Sequence, residues 1–312
     1  MPVDPQAARL MAMLGAGRRP DWASVTAEER RRGFAGLMRM AGRAPEIGGV
    51  ESVSVAGADG ALPARLYRPA GEPGGPRPGL VYFHGGGLVA GDLDTHDVLC
   101  RSLAQGSGCR VIAVGYRRAP EHRFPVAIED ALAAASDVLG RPESFGLDPA
   151  RIAIGGDSAG ATLATVTAGA LRHRSCPRLV LQFLLCPVLD VQSATASRRE
   201  FAEGYLLDAE MMARDLADYA PGLDPADPRL SPIRVHDLAG IPPALIHAAE
   251  FDPLRDEAAL YADRLAAAGV PVDHHCHPGM IHHFYGLTGF IPAVRTILAG
   301  IAADLGARLE KR

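Results

Sequence analysis

The chain has 312 residues, 48% of them hydrophobic and 22% charged, and a formal net charge of −4. That is enough apolar material for one large α/β domain or two small ones, and an acidic balance without a dense basic block argues against a nucleic-acid partner. No apolar run reaches the roughly 18 residues that span a bilayer, and Met11-Ala12-Met13-Leu14 is too short for a signal core, so the expectation is a soluble cytoplasmic protein with no membrane partner.

Residues 1 to about 45 are helical in pattern and precede the first strand signal. Within them Glu28-Glu29-Arg30-Arg31-Arg32, together with Arg18 and Arg19, reads as a solvated helix face. Glu51 to Val55 and Ala61 to Tyr67 alternate apolar and polar residues around Gly57-Ala58-Asp59-Gly60, which predicts an antiparallel hairpin at a sheet edge. The runs Leu80-Val81-Tyr82-Phe83, Val111 to Val114, Ile152 to Ile154, Leu179 to Leu185 and Ala244 to His247 are short and continuously apolar, as strands buried on both faces are. Helical patterns over Val126 to Leu139, Ala159 to Arg172 and Leu254 to Ala268 separate several of them. This alternation predicts an α/β fold with a mostly parallel sheet flanked by helices. A helical stretch over about 193–222 interrupts the scheme, and with residues 1–45 it is read as a cap over a catalytic domain spanning 46–312. The five cysteines, Cys100, Cys109, Cys176, Cys186 and Cys276, are scattered and read as small buried hydrophobes rather than a disulfide framework.

Four strand ends carry chemistry, three of them at the ends of these runs and one after a last strand before the final helix. His84-Gly85-Gly86-Gly87 follows the run ending at Phe83, and a glycine loop there lets backbone N–H groups approach a developing oxyanion. Gly156-Asp157-Ser158-Ala159-Gly160 joins a strand to a helix, the context in which a G-x-S-x-G pentapeptide presents its serine as a nucleophile. The Ala159 N–H, at the positive end of that helix, is a further oxyanion donor. Asp252, before a proline that blocks strand continuation, falls in a post-strand loop and is favoured over Asp256, which falls inside the next helix. His282 and His283 both follow the last strand. On the residues alone, either qualifies as the base that takes the serine proton.

Taken with Gly91-Asp92, Tyr116-Arg117, Ala119-Pro120-Glu121-His122, Phe124-Pro125, Asp252 to Glu257 and Gly279-Met280, these motifs closely resemble the hormone-sensitive-lipase-like bacterial esterases over nearly the full chain. The resemblance implies an α/β-hydrolase fold with a helical cap, no cofactor, and hydrolysis of short-chain carboxylic esters through an acyl-enzyme. It assigns Ser158, Asp252 and His282 as the triad, leaving Gly85, Gly86, Gly87 and Ala159 for the oxyanion hole. Dimers occur in the family, so a homodimer is compatible with it. The chain departs from the family pattern at His283 (usually Gly), Leu88 (often aromatic), Ala161 (commonly Gly) and Arg118 (usually Leu). An amidase or deacetylase acting on N-acyl groups could use the same triad. A non-catalytic ligand-binding protein would be expected to lack the base. His274-His275-Cys276-His277 places two histidines on one strand face, too few for a structural zinc site, so no metal is expected.

Overall fold

The computed structural model describes residues 2–15, 21–174 and 177–310; Arg18, Arg19 and Cys176 lie outside them. Helices α1 (Pro5–Gly15) and α2 (Ala27–Met38) come first. Helix α2 starts where Thr26 and Glu29 form a reciprocal capping box, which satisfies backbone donors at the helix start. The hairpin β1 (Gly49–Gly57) and β2 (Gly60–Arg68) follows, then β3 (Arg77–Phe83), α3 (Asp97–Ser107), β4 (Arg110–Val114), α4 (Val126–Gly140), β5 (Leu147–Asp157) and α5 (Ala159–Leu171). After β6 (Leu179–Leu185) come α6 (Ala196–Glu200) and α7 (Ala209–Tyr219), and the chain then completes β7 (Ala244–Phe251), α8 (Arg255–Ala267), β8 (Val272–Ile281) and α9 (Ala293–Glu310).

Among the described residues eight strands form one sheet in the order β1-β2-β4-β3-β5-β6-β7-β8. β1 and β2 pair antiparallel at the edge, β2 pairs antiparallel with β4, and the six strands β3 to β8 run parallel. Burial follows the sequence pattern: every residue of β6 is buried, whereas β2 alternates. Leu163 of α5 and Leu265 of α8 pack on one face of the sheet, and Leu103 of α3 and Leu305 of α9 on the other. From β3 the chain moves to β4 on one side, and β5 returns on the other, so the order reverses at β3. A crevice opens at such a switch point, outside the C-terminal strand ends. The loop after β3 and the turn after β5 face it.

The last two strands run longer than the apolar runs suggest. Phe251 of β7 still pairs with Ile281 of β8 after a register irregularity, so Asp252 and His282 each follow directly on a strand end. The charged stretch in α2 is a solvated face only in part: Glu28, Glu29 and Arg32 are exposed as its composition suggests, but Arg30 and Arg31 are engaged with the rest of the protein. Arg30 is buried and ion-paired with Asp215 and Asp218 of α7. Arg31 bonds the Val89 and Ala119 carbonyls and pairs with Glu121 at 2.6 Å. Cys100, Cys109 and Cys186 are buried free thiols, as expected, but Cys276 on the edge strand is exposed. No helix among the described residues is long and apolar enough to cross a membrane.

Candidate active site

Ser158 has φ 52° and ψ −120°, a left-handed conformation that costs a non-glycine residue about 1–3 kcal/mol. The surrounding packing enforces it. Ser158 N–H donates to the Leu185 carbonyl at 2.8 Å, and its own carbonyl accepts from Val188 N–H at 3.1 Å. A Cβ at Gly156 would stand 2.5 Å from the Gly160 backbone, and one at Gly160 would run into the Phe83 and His84 carbonyls. Both glycines are therefore required for α5 to start this close to the end of β3.

The loops after β7 and β8 bring the other two groups to the serine. His282 Nε2 lies 3.1 Å from Ser158 Oγ, and its Nδ1 lies 2.7 Å from Asp252 Oδ2. Asp252 is fully buried, and its Oδ1 accepts the Leu254 N–H at 2.8 Å, which fixes the carboxylate plane. Ser158 and His282 are almost enclosed, at 6% and 5% exposure. Asp256 turns away and accepts the Ser197 N–H at 2.8 Å. The geometry therefore separates the two adjacent histidines. His283 points elsewhere, with Nδ1 3.1 Å from the Tyr285 hydroxyl and Nε2 3.1 Å from Met38 Sδ. Burial, outweighing the nearby Asp157 charge, pushes the His283 pKa down to about 3, so this ring is neutral at any working pH.

The glycine loop after β3 turns through left-handed conformations at Gly86 (φ 110°) and Gly87 (φ 65°). A Cβ at Gly86 would meet the Ala90 carbonyl at 2.5 Å. Gly85 corrects one expectation: its N–H is committed to Asp157 Oδ1 at 3.0 Å and so is not free for an oxyanion. Among the described residues no acceptor takes the N–H of Gly86, Gly87 or Ala159. A Cβ at Gly87 would run into the Asp215 carboxylate, which α7 holds over the loop. Burial, against the pull of Arg30, raises the Asp215 pKa to about 7.

Sequence reasoning missed several residues here. Cys186, at the end of β6 with φ 41°, places its thiol beside Asp252 and His282. Burial and the Asp252 charge raise that thiol's pKa well above its ordinary value, so it stays protonated. His96 and Asp157 also gather with His283. Both clusters contain metal-ligating residue types, but their members already bond one another. His282 Nδ1 lies 2.7 Å from Asp252, and His96 Nε2 lies 3.3 Å from Asp157. The signal for Asp157 lay inside the pentapeptide; for Cys186 and His96 no local signal existed.

Comparison with known proteins agrees with this geometry. Residues 80–286 match a family described by its alpha/beta hydrolase fold. The ethyl acetate hydrolase of Pseudomonas putida is 39% identical over 93% of this chain and 94% of its own length. The carboxylic ester hydrolase LipN of Mycobacterium tuberculosis is 44% identical over 76% of this chain, and the match spans 65% of that protein. Among solved structures, an ester hydrolase from the metagenome of Lake Arreo, bound to a bipyridine phosphonate derivative, superposes with TM-score 0.93 at 39% identity and 98% coverage of both chains. A hyperthermophilic esterase from Pyrobaculum calidifontis gives TM-score 0.91 at 38% identity, covering 98% of this chain and 99% of that one. The chain belongs to the α/β hydrolase fold family, in the hormone-sensitive-lipase-like branch that its motifs resemble.

Proposed function

We propose that the protein is a serine carboxylesterase acting on small, short-chain esters, with Ser158 as nucleophile, His282 as general base and Asp252 as the group that orients it. The observation that carries this reading is the unbroken line of contacts from Ser158 Oγ to His282 Nε2 at 3.1 Å and from His282 Nδ1 to Asp252 at 2.7 Å. His282 Nε2 takes the Ser158 proton as Oγ bonds to the ester carbonyl carbon. The carbonyl oxygen becomes an oxyanion that receives the N–H groups of Gly86, Gly87 and Ala159. His282 then gives its proton to the departing alkoxide, leaving an acyl-serine and an alcohol. Water repeats the sequence, with His282 accepting its proton and returning one to Ser158 as the acid leaves.

In the same proposal residues 1–45 and about 193–222 serve as the cap. The ion pairs of Arg30 with Asp215 and Asp218, which join α2 to α7 beside the oxyanion loop, support that role. The Asp215 carboxylate over Gly87 makes that side of the site small and polar, which favours short acyl groups. A panel of aryl esters from acetate to decanoate, with one anilide, tests the reading. The expected result is highest kcat/KM at the short end, weak anilide cleavage, and loss of all turnover in a folded Ser158→Ala variant. Turnover surviving in Ser158→Ala would sink it.

A further inference from the structure

Asp157 precedes the nucleophile and does not touch it, yet it is the most heavily bonded side chain near the site. It is fully buried. Its carboxylate accepts from the Tyr82 hydroxyl at 2.7 Å, the Gly85 N–H at 3.0 Å and the Tyr285 hydroxyl at 3.2 Å, with His96 Nε2 at 3.3 Å and His283 Nδ1 at 3.5 Å. A buried carboxylate without such partners would be strongly disfavoured. Burial works to raise its pKa, but His96 and the Tyr82 hydroxyl hold it below the usual carboxylate range, so it remains charged.

These donors come from different segments. Tyr82 is the next-to-last residue of β3, Gly85 is the first glycine of the loop after it, His96 precedes α3, and Tyr285 and His283 belong to the loop that carries His282. The Tyr285 hydroxyl gives its proton to Asp157, so its oxygen is left to accept, and the neutral His283 must carry its proton on Nδ1 to donate there. His283 reaches this place because its backbone is left-handed, at φ 63°. Three consecutive glycines have more backbone freedom than any other tripeptide, whereas oxyanion donors act only when preorganised. At the far end, Gly86 accepts from Val89 and Ala90 N–H at 3.1 and 2.7 Å. At the near end the Tyr116 hydroxyl bonds the His84 carbonyl at 2.8 Å and His84 Nδ1 lies 2.9 Å from the Gly85 carbonyl, while the Gly85 N–H is held by Asp157, with His96 Nε2 at 3.3 Å.

We infer that Asp157, held through Tyr285 and His283, is a positioning residue that fixes Gly85 and thereby aims the Gly86 and Gly87 N–H groups at the oxyanion. A single buried carboxylate then sets the elbow, the oxyanion loop and the base-bearing loop against one another. The inference rests on the esterase reading, and the two fail differently.

The test compares Asp157→Asn, Tyr285→Phe and His283→Gly with Ser158→Ala, each checked for folding by circular dichroism. Asp157→Asn keeps the shape but turns a donor toward donors. Its kcat should fall about 10²-fold, the scale of a lost oxyanion donor, with KM within about threefold. Affinity for an alkyl boronic acid, which forms a tetrahedral adduct on serine, should fall in proportion to kcat/KM. Tyr285→Phe and His283→Gly should lose several-fold in kcat, again at nearly constant KM. A role limited to stability would lower the melting temperature and leave kcat per folded molecule and boronate affinity alone; that outcome overturns the inference. If Asp157→Asn does not fold, Tyr285→Phe decides: a fall in kcat at constant KM supports the inference, and an unchanged kcat overturns it. An active Ser158→Ala would instead sink the esterase reading, whereas an inactive Ser158→Ala beside a fully active Asp157→Asn would sink only the positioning role.

Discussion

Histidines gather in two parts of this molecule, around Asp157 and on the outer edge of the sheet, and the two clusters are built on opposite principles. At Asp157, His96 lies 5.4 Å from His84 and 5.8 Å from His283 by ring centroids. On the edge, His247 of β7 stacks on His275 and His277 of β8 at 5.1 and 5.3 Å. Burial is the leading cause of low basicity in both: it pushes His84 and His283 to about 3, His277 to about 4 and His247 to about 2. The difference is where the bonds end. The inner network ends on a buried carboxylate that also holds the oxyanion loop. On the edge, His247 Nδ1 faces only His277 Nε2 at 3.1 Å, and His247 Nε2 is buried without a partner among the described residues. Clustering and burial are thus shared, and only the inner cluster is hydrogen-bonded to the glycine loop.

The largest effect should separate the two regions outright. His282→Ala, which removes the proposed base beside the inner cluster, should cost about 10⁴-fold or more in kcat. His277→Ala, on the edge but in ring contact with Phe284 at 5.1 Å, should stay within about twofold of the parent. Steady-state kinetics on an aryl acetate would show this. A loss above a hundredfold in His277→Ala would mean that the edge cluster is wired to the base after all.

Acid should then reveal what the clusters share. A histidine held neutral in the fold takes up its proton only after unfolding, near its ordinary value of about 6.5. Below that pH the unfolded state binds a proton that the folded state does not, so stability falls as pH drops toward the depressed folded value. Each fully buried imidazole steepens the decline by about 1.4 kcal/mol per pH unit. Glu257 runs the other way. Burial, outweighing Arg198, raises it to about 7, so its share of the stability is full below about 4.5 and is lost as pH rises through 7. Denaturant titrations between pH 6 and pH 4 should show one proton fewer taken up on unfolding in His283→Gly, and likewise in His247→Leu. Equal flattening in variants of unequal catalytic consequence would place the distinction in wiring rather than charge. A slope unchanged in either would mean that its ring titrates in the fold.

How much of this was legible depends on the range of each interaction. Ser158 and Asp252 could be placed because each lies just past a strand whose end is marked by local features, an apolar run and then Gly or Pro, whereas no such feature separated His282 from His283 and only the family resemblance chose between them. The glycine loop announced itself in the same way, but not that Gly85 would turn its N–H toward Asp157. Arg30 read as solvated because its neighbours Glu28 and Arg32 do pair locally, whereas its own partners lie about 190 residues away on α7. His283 and Cys186 take their environments from strands and loops joined only by sheet order, and alternation of elements does not determine that order. His247 ends an apolar run, and nothing local shows that β8 sets His275 beside it.

The smallest effect probes the edge cluster alone. His247 is 1% exposed, and its Nε2 has lost water without gaining a protein partner. Leaving a polar group so costs about 1–3 kcal/mol, whereas an apolar side chain of similar size removes the cost altogether. His247→Leu gives up the bond to His277, two ring stacks and an edge contact with Phe183, but leucine keeps apolar contact with Phe183, and His277 is only partly buried and can turn its nitrogen to water. The balance favours the variant by about 1 kcal/mol, which for a domain of this size raises Tm by about 2 °C. Activity should not change, because no hydrogen bond from the His247 side chain reaches the loops that carry Ser158, Asp252 or His282, and its backbone bond to Cys186 is kept. Thermal unfolding at neutral pH measures the shift. A fall in Tm would mean that the ring stacks outweigh the stranded nitrogen, and that this cluster too is held together by more than burial.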